Sequence, residues 1–279
     1  MSGFLLKENQ LESLKQYIKK LGPVIVAFSG GVDSTLVLVA AIQALGKEKV
    51  VAITASSATL TEEERENAAR IAEHVGAKHV ILDAPEFDEP KFVVNAPDRC
   101  YHCKKSRFEA LLKWGEEAGY PIIIEGTHAE DLGDYRPGLK ALEELGERIQ
   151  SPLKDLGWTK NQVRLASKEL GLPTWDRPSA ACLASRIAYG ISLTKENLAQ
   201  VEKAEEILRQ FISGSLRVRH HGRWARIEVS PAELFKLVEP VIASKVAQEI
   251  KKLGFDYVTL DLAGLRSGSM NIGIDKKDS

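Results

Sequence analysis

The feature that most constrains this chain is an apolar run that ends in a glycine turn. Residues 24–35 read VIVAFSGGVDST, so a predicted buried strand runs directly into two glycines and small hydroxyl side chains. Glycine lets the backbone turn tightly and lets a ligand approach closely, because it has no Cβ. The start of the helix that follows offers unpaired N–H groups and a partial positive charge, which suit phosphate. The alternative is an ordinary strand-to-helix turn. The Walker phosphate loop is excluded, because no Lys-Ser/Thr pair follows the second glycine.

Strand-like and helix-like segments alternate along the first part of the chain. The predicted strands are Val24–Phe28, Val50–Thr54, His79–Leu82 and Ile122–Glu125. The predicted helices are Ser34–Leu45, Thr61–Val75, Ser106–Ala118 and Thr159–Leu170, after a short leading helix. This alternation predicts an α/β fold with a parallel sheet covered on both faces. Because crossovers are right-handed, the loops at the carboxyl ends of the strands share one edge.

The pattern changes after Pro152, and the last hundred residues predict a smaller α+β unit. Its elements are a helix at Thr194–Gln210, β segments at Leu216–His221 and Trp224–Val229, a helix at about Pro240–Leu253 and a strand at Tyr257–Leu262. We therefore expect two domains, residues 1–175 and residues 176–279.

Charge and cysteine content exclude several classes of protein. The net charge of −1 gives no overall positive field, which disfavours tRNA or DNA as a partner. No apolar run reaches the roughly 20 residues that a membrane span needs, so we expect no membrane association. Three cysteines make a poor disulfide framework, which favours a reducing cytoplasm.

The SGGVDS turn resembles the pyrophosphate loop (PP-loop) of the N-type ATP pyrophosphatases. Those enzymes cleave ATP to AMP and pyrophosphate and so adenylate a carbonyl or carboxyl oxygen. The resemblance implies that the turn holds the phosphates of ATP, and that Asp33 helps to position Mg²⁺ on them. The other nucleotide-binding residues that it implies are Ala27, Ser29, Gly30, Gly31, Ser34, Thr54, Gly126, Thr127 and Asp131.

The three cysteines allow three interpretations. Cys100 and Cys103 form a CxxC motif, and Cys182 lies far along the chain. A buried, inert set is disfavoured, because neighbouring cations such as Arg99 and Lys104 favour the thiolate form. A structural zinc site needs four ligands, and no clear fourth ligand is present. A [4Fe–4S] cluster on three thiolates would leave one iron open to bind sulfide or substrate.

Motifs along nearly the whole chain resemble the LarE family. They are SGGVDST, DRCYHCK, GTHAEDLGDYRPG, SPLKDLGWTK, GLPTWDRPSAACLASRIAYG, RVRHHGRWARIEV and LDLAGLRSGSMN. The resemblance implies an adenine nucleotide alpha hydrolase-like, Rossmann-like PP-loop domain with a smaller α+β domain. It also implies an ATP-dependent sulfurtransferase of nickel-pincer nucleotide (lactate racemase cofactor) synthesis. Such enzymes adenylate the carboxylates of pyridinium-3,5-biscarboxylic acid mononucleotide and convert them to thiocarboxylates.

The family contains two chemical types, which differ in their cysteines. One type surrenders the sulfur of a single cysteine at the position of Cys182, which becomes dehydroalanine. The other adds a CxxC and holds a [4Fe–4S] cluster that carries external sulfide, and the resemblance places this chain there, with Cys100, Cys103 and Cys182 as ligands. A sulfide donor and a homo-oligomer are the partners it implies. A tRNA thiolase and a non-enzymatic nucleotide-binding iron–sulfur protein are the alternatives.

Several arginines are candidates for binding the anionic groups of ATP and substrate. Arg136 follows a predicted strand at the nucleotide edge, and Arg186 lies four residues after Cys182. Arg217 and Arg219 alternate on a β segment, so both point to one face. Two guanidinium groups on one face suit a phosphate or a carboxylate pair, and the alternative is a solvated strand face. The family has such an RVR pair near its sulfur-donating cysteine.

Two further expectations concern the same β segments. Glu228 matches an acidic position that the family associates with metal binding. We expect His220 and His221 to be surface residues, because neither has an evident carboxylate partner in the sequence.

Overall fold

The computed structural model describes residues 2–133, 137–178, 181–266 and 268–271. The chain divides into two compact units. The first unit consists of Met1–Ser57, Glu62–Glu89 and Cys100–Ala180, and the second of Ala58–Thr61, Pro90–Arg99 and Ala181–Ser279. The simpler division after residue 175 stays a prediction.

The first unit is built on a parallel sheet, as the alternation of elements predicts. Its strands are β1 (Val24–Ala27), β2 (Val50–Ser56), β3 (Lys78–Asp83), β4 (Ile122–Ile124) and β5 (Ile149–Gln150). The strand order is β3-β2-β1-β4-β5, with every neighbouring pair parallel. The order reverses between β1 and β4, and α/β proteins bind ligands at such a switch point.

Helices cover both faces of this sheet. Counted over both units, the helices of the described residues are, in chain order, α1 (Ser2–Lys19), α2 (Val32–Leu45), α3 (Glu62–His74), α4 (Pro90–Val93), α5 (Arg99–Ala118), α6 (Pro137–Leu145), α7 (Pro152–Asp155), α8 (Lys160–Glu169), α9 (Lys195–Arg209), α10 (Leu234–Val238) and α11 (Pro240–Lys251). Val24 and Val26 of β1 pack with α1, α2, α3 and α8, whereas Ile25 packs with α5 and α6 on the opposite face. This period of two buries the central strand β1 on both faces and confirms the α/β interpretation.

The second unit is the smaller α+β part. Its sheet consists of β6 (Leu216–His221), β7 (Trp224–Val229) and β8 (Tyr257–Leu260). β6 and β7 are antiparallel, and β8 pairs with β7 in parallel. Val218, Ala225 and Ile227 face a core shared with α9 and α11.

Three segments differ from the sequence-based expectation. The CxxC motif lies on α5, which begins at Arg99 and not near Ser106, because the apolar periodicity of that helix starts only at Phe108. The two-residue strand β5 and helix α6 were not predicted, since β5 is too short for a periodic signal. Among the described helices, none combines the length and apolar character required to cross a membrane.

Candidate functional site

The candidate nucleotide site lies at the switch point of the parallel sheet in the first unit. The glycine turn follows β1, and the loop at residues 126–131 follows β4, the adjacent strand. A Cβ on Gly126 would lie 2.9 Å from the backbone nitrogen of Ser34 and 3.0 Å from Cβ of Asp33. The absence of a side chain at Gly126 therefore lets this loop pack against the first turn of α2.

The glycine turn has the geometry of an anion-binding site. Gly30 has φ +67°, and a Cβ there would lie 2.9 Å from the Cα of Ala68 in α3. Gly31 is the N-cap of α2 and provides no side-chain cap, so N–H groups of the first turn remain for a ligand. The hydroxyls of Ser29 and Ser34 lie 3.2 Å apart beside it. These features fit the phosphates of a nucleotide.

Asp33 has one oxygen paired and one oxygen unpaired. Lys160 Nζ lies 2.5 Å from Asp33 Oδ2, and Oδ1 is buried without a hydrogen bond among the described residues. Lys160 is the first residue of α8, after the N-cap Thr159, whose hydroxyl accepts the N–H of Gln162. An unpaired carboxylate oxygen fits a Mg²⁺ ligand. Lys160 was not predicted as a site residue, although it lies in the SPLKDLGWTK motif.

A buried carboxylate shapes the loop after β4. Glu125 Oε1 accepts the N–H of Thr127 at 3.1 Å and Ser151 Oγ at 2.6 Å, and Oε2 accepts Thr127 Oγ1 at 2.6 Å. Lys104 Nζ lies 3.4 Å from Oε2. Burial raises the pKa of Glu125, but Lys104 and the hydrogen bonds from Ser151 and Thr127 outweigh burial and hold it below its usual value. Further along this loop, Asp131 Oδ2 accepts the N–H of His128 at 3.0 Å.

Of the two residues predicted beside the adenosine at strand ends, Ala27 ends β1, whereas Thr54 lies two residues before the end of β2. Ala27 is the last residue of β1 and is half-buried. Thr54 in β2 is 2% exposed, and its hydroxyl donates to the carbonyl of Phe28 at 2.9 Å. The same hydroxyl lies 2.8 Å from Nε2 of His79, whose pKa is lowered by burial. Thr54 thus supports the chain at the start of the glycine turn.

The three cysteines are all described, and none forms a disulfide. Cys100 is exposed and Cys103 half-buried, and their spacing places both on one face of α5 in the first unit. Cys182 is exposed and belongs to the second unit. Accessible thiols are the donors that an iron–sulfur cluster requires. Across the described part of the chain, however, no group of three or more Cys, His, Asp or Glu side chains is gathered to hold a metal.

Cys182 caps a short 3₁₀ helix, Leu183–Arg186, in the second unit. Its carbonyl accepts Arg186 Nη1 at 2.8 Å, the hydroxyl of Ser185 at 2.7 Å and the backbone N–H of Ser185 at 3.0 Å. Arg186 is 4% exposed and pairs with Glu205 at 3.1 Å. This arginine was expected to bind anions of a ligand, whereas in the structure its guanidinium is bonded within the unit.

The two arginines of β6 have different surroundings. Arg219 is buried, and its Nη2 lies 2.8 Å from Oε2 of Glu228. The same nitrogen donates to Ser269 Oγ at 3.1 Å. Arg217 is half-buried and donates to the carbonyl of Leu216. Burial, and then the charge of Arg186, lowers the pKa of Arg217. Arg217 is therefore the better placed of the two to bind an anion.

The remaining expectations have mixed outcomes. Arg136 lies outside the described residues. Glu228 is fully buried, and its two oxygens accept from Arg219, Arg226 and Ser269. Its association with a metal stays a prediction. The expectation of an exposed His220 was wrong, because this residue is 3% exposed. Its Nε2 lies 3.0 Å from Oε1 of Gln200.

The chain resembles several known proteins. Residues 6–92 match the NAD synthase family. The chain is 41% identical to an uncharacterized protein of Synechocystis sp., over 95% of this chain and 97% of that protein. It is 39% identical to the pyridinium-3,5-bisthiocarboxylic acid mononucleotide synthase of Lactiplantibacillus plantarum, over 93% of this chain and 92% of that enzyme. It is 32% identical to an uncharacterized protein of Methanocaldococcus jannaschii, over 94% of this chain and 96% of that protein.

Proposed function

This chain belongs to the LarE family of pyridinium-3,5-bisthiocarboxylic acid mononucleotide synthases, and we propose that it is an ATP-dependent sulfur insertase. Its substrate is pyridinium-3,5-biscarboxylic acid mononucleotide, whose carboxylates it converts to thiocarboxylates for the nickel-pincer nucleotide. The observation that carries the adenylation step is the glycine turn. There, the N-terminus of α2 has no side-chain cap, and Asp33 lies in its first turn. One carboxylate oxygen of Asp33 pairs with Lys160, and the other has no hydrogen bond among the described residues.

In the first half-reaction the residues of the first unit bind ATP and direct cleavage. The N–H groups of the first turn of α2 and the hydroxyls of Ser29 and Ser34 bind phosphate oxygens. A carboxylate oxygen of the substrate attacks the α-phosphorus, the bond to the β-phosphate breaks, and pyrophosphate leaves. Asp33 Oδ1 would hold Mg²⁺, which would supply positive charge for the leaving pyrophosphate. Lys160, which pairs with Asp33, supplies a cation beside the turn that can bind a phosphate oxygen.

In the second half-reaction sulfur replaces the adenylate. Sulfide attacks the acyl carbon, AMP leaves with the bonding electrons, and a thiocarboxylate remains. We propose that Cys100, Cys103 and Cys182 hold a [4Fe–4S] cluster, which, when bound, supplies an open iron for sulfide. The segment that follows Cys182 contacts β6, because Ile187 pairs with His220 and Arg219 donates to the carbonyl of Ser185. Arg217 of the same strand can bind an anionic group of the substrate. A sulfide donor, a homo-oligomer and a cytoplasmic location complete the proposal.

Pyrophosphate release tests the first half-reaction. Asp33→Asn preserves the volume of the side chain but removes its charge, so we expect pyrophosphate release to fall at least a hundredfold, about 2.7 kcal/mol of transition-state stabilisation. Asp83→Asn, at the end of β3, is the matched control and should release pyrophosphate at the wild-type rate. Wild-type release by Asp33→Asn in the presence of substrate would refute the proposed role of the turn.

Turnover number tests the source of sulfur. With sulfide, ATP, Mg²⁺ and substrate under anaerobic conditions, we expect more than one sulfur transferred per chain. The alternative is that Cys182 gives up its own sulfur and becomes dehydroalanine. In that case transfer would stop at one sulfur per chain, and the intact mass would fall by about 34 Da, the mass of one H₂S, at Cys182. That second outcome would overturn the cluster and leave the insertase standing.

A further inference from the structure

A buried carboxylate in the second unit joins the two segments that carry the proposed sulfur chemistry. Glu205 lies on α9 and is 6% exposed. Its Oε1 accepts Arg186 Nε at 3.1 Å and the backbone N–H of Val218 at 3.1 Å. Its Oε2 accepts Arg186 Nη2 at 3.4 Å. One carboxylate therefore contacts both the segment after Cys182 and the strand β6.

On the side of Cys182 the contact continues through the guanidinium of Arg186. Nη1 of Arg186 donates to the carbonyls of Ala181 and Cys182. A guanidinium has five N–H donors in one rigid plane, so an arginine held by Glu205 presents its remaining donors in a fixed direction. Because Arg186 is almost fully buried, solvent does not compete for these donors. The backbone on both sides of the Ala181–Cys182 peptide is thus held by a charge pair.

On the side of β6 the contact is to the backbone between the two predicted substrate arginines. Val218 is fully buried, and its N–H points to Glu205, while Arg217 and Arg219 are its neighbours in sequence. Glu205 also balances charge in this cluster of arginines. Burial and the charge of Arg186 lower the pKa of Arg217, and the negative charge of Glu205 acts in the opposite direction.

We propose that Glu205 is a positioning residue for sulfur transfer. It holds two segments in one fixed arrangement: the Cys182 turn, which is Cys182 with the 3₁₀ helix that follows it, and the strand β6, which carries Arg217 and Arg219. It does so through Arg186 on one side and the N–H of Val218 on the other, without touching the substrate. The inference rests on the proposed function for its chemical consequence. The arrangement itself rests only on contacts within the second unit.

The test compares Glu205→Gln with Glu233→Gln. Glu233 is a matched control, because it is also a largely buried carboxylate of the second unit that accepts backbone N–H groups, those of Ser213 and Gly214. Glu205→Gln keeps an oxygen for Val218 but removes the charge that holds Arg186. Arg186→Lys is the second variant. This variant keeps the positive charge of residue 186 but loses the planar guanidinium, so it remains informative if Glu205→Gln does not fold.

The main readout is amide hydrogen exchange of the turn, which needs no turnover. In Glu205→Gln and in Arg186→Lys we expect the amides of Leu183, Ser185 and Ile187 to exchange about tenfold faster, because local opening loses charge-assisted hydrogen bonds. Amides of α11 should keep the wild-type rate. We also expect kcat of sulfur insertion to fall at least tenfold, with KM for ATP and pyrophosphate release unchanged.

Three results would overturn the proposal. One is wild-type exchange at the turn in both variants. Another is faster exchange across the whole second unit. That pattern indicates a general loss of stability, and it is the pattern that we expect of Glu233→Gln. The third is a fall in pyrophosphate release equal to the fall in sulfur insertion. If the wild-type protein inserts no sulfur at all, the proposed function fails, while the exchange data still decide whether Glu205 positions Cys182.

Discussion

At the scale of single residues, the glycine turn depends on a side chain of the neighbouring strand. The hydroxyl of Thr54 has one proton, which it donates to the carbonyl of Phe28. His79 must then donate its Nε2–H to the Thr54 oxygen, and the lowered pKa of His79 keeps the ring neutral at neutral pH. This pair of hydrogen bonds orients the last peptide before Ser29.

We expect Thr54→Val to weaken ATP binding about threefold to tenfold, because one or two hydrogen bonds that hold Phe28 are lost. Thr54→Ser should restore the wild-type affinity. Thr174→Val is the matched control, since Thr174 is also a buried threonine of the first unit and its hydroxyl has no described hydrogen bond. Calorimetry with a non-hydrolysable ATP analogue measures the difference. Equal affinity in Thr54→Val and the wild type would exclude this role.

The carboxylate of Glu125 leads to a prediction about pH. Its pKa lies below the ordinary value of 4.5 in the folded protein, so its contribution to stability is fully present above the unfolded pKa. That contribution is lost as pH falls through the lowered folded pKa. We expect Glu125→Gln to reduce the free energy of unfolding by about 1.5–3 kcal/mol at pH 7 and by progressively less below pH 4.5.

Urea unfolding of Glu125→Gln and wild type across this pH range measures the effect. Glu73→Gln, on the exposed face of α3, is the control and should show no such dependence. A difference between Glu125→Gln and wild type that is constant from pH 7 down to acid pH would contradict the assignment of a lowered pKa.

At the scale of elements, the glycine turn is held between β1 and two helices. Gly30 has φ +67° and lies against α3, whereas Gly157 has φ +70° with no atom within 4 Å of an added Cβ. Alanine at either position should cost about 1–2 kcal/mol of backbone strain. Gly30→Ala must in addition displace α3 or the turn, since its Cβ would contact the Cα of Ala68.

We therefore expect Gly30→Ala to lose more stability than Gly157→Ala and, unlike it, to lose at least tenfold in ATP affinity. Urea unfolding and calorimetry on the two variants separate backbone strain from the collision with α3. Similar ATP affinity in the two variants would mean that the turn moves away from α3 without consequence for the phosphates.

At the scale of the whole molecule, the three cysteines proposed as cluster ligands can be tested one at a time. Cys100 and Cys103 belong to the first unit and Cys182 to the second. We expect each of the three Cys→Ala variants to lose reconstituted iron, acid-labile sulfide and multiple-turnover sulfur insertion together, while each still binds ATP. Iron and sulfide counts on anaerobically reconstituted protein make the measurement. Full iron content in the Cys100→Ala and Cys103→Ala variants would exclude both cysteines as cluster ligands.

The α/β class, the strands β1 to β4, the β segments β6 and β7 and the glycine turn could all be predicted from the sequence. Their signals are local, because apolar period and turn residues act within a few positions along the chain. Helix α5 was predicted seven residues short at its start, since its CxxC segment has no apolar stripe. The interpretation of the SGGVDS and CxxC motifs as parts of a LarE-like enzyme also came from residues that stand together in sequence.

The partners of the site side chains were decided only by the tertiary structure. Lys160 and Asp33 are 127 positions apart, and Ser151 and Glu125 are 26 positions apart. Arg186 illustrates the difference, because its place after Cys182 suggested a ligand-binding cation, whereas α9 brings the carboxylate of Glu205 to it. A sequence determines which charges and hydroxyls exist and which face of an element bears them. Which buried charge meets which partner depends on the packing of distant elements, and burial makes that pairing obligatory, since an unpaired charge in the interior is too costly to keep.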